Sequence, residues 1–202
     1  MPEVNYVQNI FSQIYEKNLW GNGSGWGSLE INTRSYREFL QKFLAENSIK
    51  SVVDLGCGDW QIAKLMNWDG ISYLGIDLVE SVINENKKRF SNTNIEFRCL
   101  DVVREKQLPK ADLIIIKDVI QHWPNKEILE FLPRLSSYKY ALITNCALGN
   151  NINCDINFGY FRPLDLCAPP FNCNCKRVFS FPDKAEQSNW QKVVYLFQSA
   201  RK

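Results

Sequence analysis

The middle of the chain alternates short apolar runs with stretches of helical spacing, and this alternation constrains the fold more than any other feature. Five apolar runs bounded by turn residues are predicted as strands: Ser51–Leu55, 73–76, Ile95–Cys99, Leu113–Lys117 and 140–144. Helical spacing marks the stretches between them at 62–66, Glu80–Phe90 and 126–135. Because strands that alternate with helices form βαβ units, the pattern predicts an α/β protein with a mainly parallel sheet.

The flanking segments add helices before the sheet and strands after it. Apolar residues recur at helical spacing over 7–19 and 33–47. Between these helices, residues 20–28 contain four glycines and two tryptophans. This segment is either a flexible linker or an ordered loop near a ligand, and its tryptophans favour the ordered loop. After a long irregular segment at 150–174, residues 178–181 and 192–198 are predicted as two late strands, which brings the sheet to seven.

Charge and hydropathy limit the partners that the chain is expected to have. Over 202 residues the net charge is only +2, which is too balanced for a nucleic-acid-binding surface. The longest apolar run, at 113–116, is far too short to span a bilayer. The first residues lack the basic and apolar regions of a signal peptide. We therefore expect a cytoplasmic protein that binds neither nucleic acid nor membrane, with its oligomeric state left open.

Seven cysteines raise the question of a structural zinc site. Four of them lie between Cys154 and Cys175, but only Cys173 and Cys175 form a close pair. Structural zinc sites usually show two such pairs, so free thiols are the favoured interpretation and no metal is expected.

The first predicted strand ends in a turn that is typical of nucleotide-binding folds. Asp54, Gly56 and Gly58 form a D-x-G-x-G sequence directly after the apolar run. Glycines there permit the tight turn and let the backbone approach a ligand. Gln61 stands where the dinucleotide fingerprint has its third glycine, which weakens the alternative of a nicotinamide oxidoreductase.

The next two strands also end in aspartates. Asp77 follows Asp54 by 23 residues, close to the ~20 residues expected for an acid that binds ribose hydroxyls. Asp101 can accept a hydrogen bond from an adenine amino group, with Leu78 and Val102 beside the base. A carboxylate at Asp54 suits a cationic ligand better than a pyrophosphate, so the three strand ends favour S-adenosylmethionine as cofactor.

These motifs resemble those of a known family. Asp-Leu-Gly-Cys-Gly at 54–58, Gly-Ile-Asp at 75–77 and Asp-Val at 101–102 are similar to the first three motifs of class I S-adenosylmethionine-dependent methyltransferases. The resemblance implies a Rossmann-like fold with helices on both faces of a seven-stranded sheet. It adds Cys57 and Lys117 to the expected cofactor contacts, while Trp60 replaces the small residue that most of these enzymes carry there.

Further motifs resemble a bacterial and viral subgroup associated with glycan biosynthesis. They are Trp-Gly-Asn-Gly-Ser-Gly at 20–25, Gly-Cys-Gly-Asp-Trp at 56–60, Asp-Val-Ile-Gln-His-Trp at 118–123 and Arg-Pro-Leu-Asp-Leu at 162–166. The resemblance implies O-methylation of a sugar or glycan-precursor hydroxyl. Alternatives are a protein side chain or small metabolite as acceptor, or a non-catalytic cofactor-binding protein. We expect one domain over 1–202, with a cap at 1–47, a cofactor-binding core at 48–145, and a substrate loop with the late strands at 146–202.

His122, the only histidine, is the candidate base because imidazole has an unperturbed pKa near ~6.5. Its alternative role is packing or capping. The candidate acceptor contacts are Trp20, Trp26, Asp118, Asn145 and Arg162. Asp118 and Asn145 could instead hold Mg²⁺, although a third ligand is not evident. For Arg162, a salt bridge within its own loop is an equally favoured alternative. For Arg37, a position on a solvated helix face is favoured over a contact with the cofactor.

Overall fold

The computed structural model describes residues 6–147, 150, 152–182 and 191–199. Its helices are α1 (Tyr6–Glu16), α2 (Glu30–Glu46), α3 (Glu80–Phe90) and α4 (Asn125–Phe131). Its strands are β1 (Ser51–Leu55), β2 (Ser72–Asp77), β3 (Ile95–Cys99), β4 (Leu113–Lys117), β5 (Tyr140–Cys146), β6 (Lys176–Pro182) and β7 (Gln191–Gln198). All seven predicted strands are therefore present, with ends shifted by a few residues.

The strands form one seven-stranded sheet in the order β3-β2-β1-β4-β5-β7-β6. β1 to β5 are parallel to one another, whereas β7 runs antiparallel to both β5 and β6. The predicted mainly parallel sheet with a late hairpin is confirmed. The strand order reverses between β1 and β4, and ligands of such sheets bind outside the carboxyl ends at that point.

Helices cover both faces of the sheet. On one face, α2 and α3 pack on the sheet through residues such as Tyr36, Leu40 and Ile83. On the other face, α4 and the segment after β5 supply Phe131 and Leu164 to a second core. The central strand β4 is buried on both sides, since Leu113–Ile116 are at most 3% exposed. Each such side chain contributes roughly 1.5–3 kcal/mol of transfer free energy.

Helix boundaries differ from the sequence prediction in two informative places. The stretch predicted as helix at 62–66 forms only a 3₁₀ turn, Ala63–Leu65. The stretch predicted at 126–135 is α4 followed by a 3₁₀ turn, Leu132–Ser137, because Pro133 has no N–H to continue the α-helical bonding. Within the described residues, every helix is too short or too polar to cross a membrane.

Candidate functional site

A cleft opens at the carboxyl ends of β1, β2 and β4, where the strand order reverses. Side chains of α1, including Phe11 and Tyr15, line its upper wall. Eleven predicted site residues line this one cleft: Trp20, Asp54, Gly56, Cys57, Asp77, Leu78, Asp101, Val102, Lys117, Asp118 and His122. The sheet therefore brings together residues that lie about a hundred positions apart in sequence.

The turn after β1 is built on glycines in the left-handed region of backbone conformation. Gly56 has φ +74°, and its N–H donates to the Ile76 carbonyl over 2.7 Å. A Cβ at Gly56 would lie 2.2 Å from Cγ2 of Val119, and one at Gly58 would lie 2.2 Å from Oγ of Ser24. Gly56 thus lets the β4 end approach the turn. Gly58 lies outside the cleft lining and instead allows the Ser24 loop to pack against the turn.

Three carboxylates face the cleft from successive strand ends. Asp54 accepts a 2.6 Å hydrogen bond from the Tyr73 hydroxyl, and burial raises its pKa to about 6. Asp77 accepts the N–H groups of Gly58 and Val79, each over 3.0 Å, and burial raises its pKa too. Asp101 accepts the Val103 N–H over 3.1 Å. Backbone donors therefore hold Asp77 and Asp101 in fixed orientations at the cleft wall.

The loop at 20–28, for which the sequence allows either a flexible linker or an ordered loop, is ordered and hydrogen-bonded to the glycine turn. The Ser24 hydroxyl lies 2.8 Å from the Tyr15 hydroxyl and donates to Asp59 over 2.7 Å. Gln61 adds a 2.6 Å bond to the Asn22 carbonyl. These contacts join α1, the loop and the turn after β1, so the loop forms part of the cleft wall.

His122 lines the cleft beside two aromatic rings. Its ring centroid is 5.0 Å from that of Trp20 and 5.9 Å from that of Phe161. Its Nδ1 is 2.9 Å from the Tyr160 carbonyl oxygen, and since a carbonyl only accepts, Nδ1 carries the proton. Burial lowers the pKa of His122 to about 4, against the opposing effect of that carbonyl. The sequence expectation of a pKa near the unperturbed ~6.5 is therefore corrected downward.

A buried charge cluster lies beside His122. Asp118 accepts from Lys117 over 2.5 Å and from Lys192 over 2.7 Å, and both lysine side chains are nearly inaccessible to solvent. These two cations hold the pKa of the Asp118 carboxyl well below its usual range, despite burial. Lys117 also donates to the Gly27 carbonyl over 3.0 Å, so the cluster connects β4, β7 and the loop.

The alternative of Mg²⁺ at Asp118 and Asn145 finds no support in this geometry. Each carboxylate oxygen of Asp118 already accepts a hydrogen bond from a lysine ammonium group. Across the described ranges, the structure brings no three histidine, cysteine, aspartate or glutamate residues into a metal-binding group. Cys167 and Cys175 lie with their sulfurs 3.6 Å apart, and all cysteines in this structure are free thiols.

Three predicted acceptor contacts lie outside the lining of this cleft. Arg162 is 2% exposed and donates to the carbonyls of Ile120 and Trp123 over 3.1 and 2.9 Å, so it holds the chain around His122 from behind. Trp26 is 46% exposed and outside the cleft lining. Asn145 is fully buried on β5, also outside the lining. Each is displaced because the sequence shows proximity to a motif but not the direction of a side chain.

Trp60, the departure from the family pattern, points away from the cleft. It has φ +61° and packs against Tyr73, Phe90 and Phe97, with centroids 4.8 to 5.8 Å away. Its bulk therefore fills the core beneath the sheet and leaves the cleft unchanged. Arg37 on α2 is half-buried and outside the cleft lining, and its Nε donates to Thr33 over 3.4 Å.

Comparison with known proteins agrees with this topology. Residues 52–138 match the model of a methyltransferase domain. The chain is 32% identical over 84 residues to a malonyl-(acyl-carrier protein) O-methyltransferase of Acetivibrio thermocellus, covering 41% of this chain and 29% of that protein. The chain thus spans less than a third of the length of that curated relative.

Solved structures match over nearly the whole chain. A methyltransferase of Leishmania major, described as SAM-dependent, aligns with a TM-score of 0.68 at 12% identity, covering 95% of this chain and 81% of its own. The fold is that of a class I methyltransferase. Magnesium protoporphyrin IX methyltransferase of Synechocystis, solved with bound SAH, aligns with a TM-score of 0.65 at 12% identity over 96% of this chain and 100% of its own.

This methyltransferase fold also places residues in the cleft that sequence reasoning missed. Phe11, Tyr15 and Tyr36 line it from helices, and Lys192 reaches Asp118 from β7. The amphipathic spacing of α1 and α2 signalled buried positions, but it could not distinguish core from cleft. Lys192 carried no signal, because nothing in a single sequence pairs a residue of the last strand with the end of the fourth.

Proposed function

We propose that this chain is an S-adenosylmethionine-dependent methyltransferase that methylates a hydroxyl of a sugar or glycan precursor. The observation that carries the proposal is that one cleft is lined both by the strand-end carboxylates and by the ring pair of Trp20 and His122. The carboxylates Asp54, Asp77 and Asp101 suit a cationic nucleoside cofactor. The aromatic pair suits a neutral ring that bears a hydroxyl.

The described residues fit the cofactor. Each oxygen of Asp77 accepts one backbone N–H and keeps a second lone pair, so the carboxylate can accept from two ribose hydroxyls. Asp101, between Leu78 and Val102 in the lining, suits an adenine ring and its amino group. Asp54 offers a buried negative charge toward the amino-acid end. The cofactor supplies a methyl group on a positively charged sulfur.

A dinucleotide fits this cleft less well. Pyrophosphates bind where backbone N–H groups at the start of an α-helix point at the ligand. Here the glycine turn leads into the short 3₁₀ turn Ala63–Leu65, and the Gln61 side chain bonds to Asp59 and the loop. The helix that such a ligand requires is therefore missing from this turn.

His122 suits the role of the base. With the proton on Nδ1, the Nε2 atom carries a lone pair that can accept the proton of an acceptor hydroxyl. Its pKa of about 4 keeps the imidazole neutral at physiological pH. A base this weak takes the proton only as the hydroxyl loses it to bond formation, so positioning by Trp20 and Tyr160 matters more than basicity. The Trp20 ring can stack against the apolar face of a sugar.

The test is transfer of a radiolabelled methyl group from S-adenosylmethionine to a panel of free and nucleotide-linked sugars. We expect a labelled sugar with the wild-type protein and a rate about 10²–10⁴-fold lower for His122→Asn. Affinity for S-adenosylhomocysteine should stay within about twofold in that variant, because His122 serves the acceptor. If the label appears only in protein, or only in small metabolites, the acceptor belongs to that class and not to the sugars. Cofactor binding with no turnover on any acceptor would favour a non-catalytic protein.

A further inference from the structure

The hydroxyl of Tyr36 stands out in the cleft wall. Tyr36 lies on α2, is 1% exposed and lines the cleft. Its hydroxyl makes no hydrogen bond to any part of the chain that the structure describes. The Thr144 hydroxyl is a hydrogen-bonding neighbour that lowers the pKa of Tyr36, but the two oxygens do not have the geometry of a hydrogen bond. A buried hydroxyl without a partner costs stability, and sites that keep one commonly do so for a ligand.

Charged groups lie near the Tyr36 side chain. The Nζ of Lys117 lies 5.8 Å from the centroid of the Tyr36 ring. Asp118 forms ion pairs with both Lys117 and Lys192, so the second lysine belongs to the same cluster. Burial raises the pKa of Tyr36, helped by the charges of Asp54 and Asp118, so the phenol stays protonated and can donate. The surroundings therefore hold two cations and two carboxylates. Such a balanced set favours a ligand group that carries both charges.

We propose that Tyr36 recognises the carboxylate at the amino-acid end of S-adenosylmethionine, with the ammonium of Lys117 beside it and Asp54 near the cofactor's own ammonium. This inference rests on the proposed cofactor. A neutral sugar acceptor brings no carboxylate, so the cofactor is the source that the charges favour. Arg37, considered from the sequence as a cofactor contact, lies outside the cleft lining, whereas its neighbour Tyr36 is buried and lines the cleft.

The experiment compares two cofactors that differ only in that carboxylate. Titration calorimetry would measure the affinities of S-adenosylmethionine and decarboxylated S-adenosylmethionine for the wild-type protein and Tyr36→Phe. A hydrogen bond to a charged group implies a loss of about tenfold for S-adenosylmethionine. For the decarboxylated cofactor we expect the affinity to change by less than about twofold, because it has no carboxylate to which Tyr36 could donate.

Thermal unfolding without cofactor supplies a second readout. Tyr36→Phe should unfold at the same or a higher temperature than the wild type, because it removes an unpartnered buried oxygen. Tyr138→Phe is the matched control, since its hydroxyl donates to the Pro109 carbonyl over 2.6 Å away from the cleft. That variant should unfold at a lower temperature and leave the ratio of the two cofactor affinities unchanged.

The outcomes separate this inference from the proposed function. A selective loss of S-adenosylmethionine affinity in Tyr36→Phe, without loss of stability, supports it. Equal weakening of both cofactors, no weakening of either, or a lowered unfolding temperature overturns the inference while the proposed cofactor stands. If the wild-type protein binds neither cofactor, the proposed function fails and the inference fails with it.

Discussion

The Nδ1 atom of His122 lies 2.9 Å from the carbonyl oxygen of Tyr160, and this contact decides which ring nitrogen can act on an acceptor. The carbonyl requires a proton on Nδ1, which leaves the lone pair on Nε2. Gly159 donates its N–H back to the His122 carbonyl over 3.0 Å, so the two segments hold each other in register. Burial next to Trp20 and Phe161 then keeps the ring neutral.

His122 should titrate far below an ordinary histidine. Because it is the only histidine, NMR of its ring carbon reports one titration, which we expect near pH 4. Its folded pKa lies below the unfolded value of ~6.5. The unfolded chain therefore binds the proton first, and this contribution to stability is lost as pH falls from about 6.5 to about 4. A titration near pH 6.5 would show a hydrated ring.

The control for this pH dependence is His122→Asn. Urea unfolding of that variant should lose the part of the stability change that falls between the two pKa values, while other acid-dependent changes remain. An identical pH profile in wild type and variant would contradict the half-buried, neutral imidazole.

The turn after β1 should not tolerate a side chain at Gly56. Gly56→Ala combines a positive φ, which costs about 1–2 kcal/mol, with a Cβ placed 2.2 Å from Val119. Gly70→Ala is the control, since Gly70 has φ +69° but nothing within 4 Å of the added Cβ. In urea unfolding, Gly56→Ala should lose clearly more stability than Gly70→Ala. Equal losses would mean that Val119 moves aside freely.

The cluster of Lys117, Asp118 and Lys192 should behave as one unit. Asp118→Asn leaves two buried lysines without their carboxylate and should cost about 3–5 kcal/mol in urea unfolding. Lys192→Met should cost less, and the double variant should lose less than the sum of the single changes because the two share one interaction. Additive losses, or a loss under ~1 kcal/mol for Asp118→Asn, would contradict a coupled buried cluster.

Arg162 should act on stability and not on the acceptor. Arg162→Met removes the guanidinium donors from the Ile120 and Trp123 carbonyls in a buried position and should cost about 2–4 kcal/mol. Arg98→Met, which breaks an exposed pair with Glu96, should change stability by less than about 1 kcal/mol. Cofactor affinity should be unaffected in both. If Arg162→Met is as stable as Arg98→Met and only its acceptor KM rises, Arg162 contacts the acceptor after all.

The sequence predicted the sheet well because strand signals are local. Four buried residues in a row at Leu113–Ile116 cannot be mistaken for a surface strand, and the acids at Asp54, Asp77 and Asp101 mark where strands end. Parallel pairing then places those ends at one edge without further information. The positions of ten of the eleven site residues in the cleft follow from that edge, whereas Trp20 comes from the loop at 20–28.

The remainder depends on contacts between distant segments. Arg162 and Asn145 lie beside motifs in sequence, but packing behind the sheet turns them away from the cleft. Lys192 reaches Asp118 only because β7 inserts antiparallel between β5 and β6. The lowered pKa of His122 comes from its burial in the folded chain, and residue type alone predicts the unperturbed value.

The most direct test of the account is calorimetric titration of the protein with S-adenosylmethionine, S-adenosylhomocysteine and NAD⁺ in parallel, repeated with Asp77→Ala. We expect the first two to bind and NAD⁺ not to bind. We also expect Asp77→Ala to weaken the first two by at least about tenfold, because the ribose loses charged hydrogen-bond acceptors. Binding of NAD⁺ alone, or of none of the three, would contradict a methyltransferase cleft.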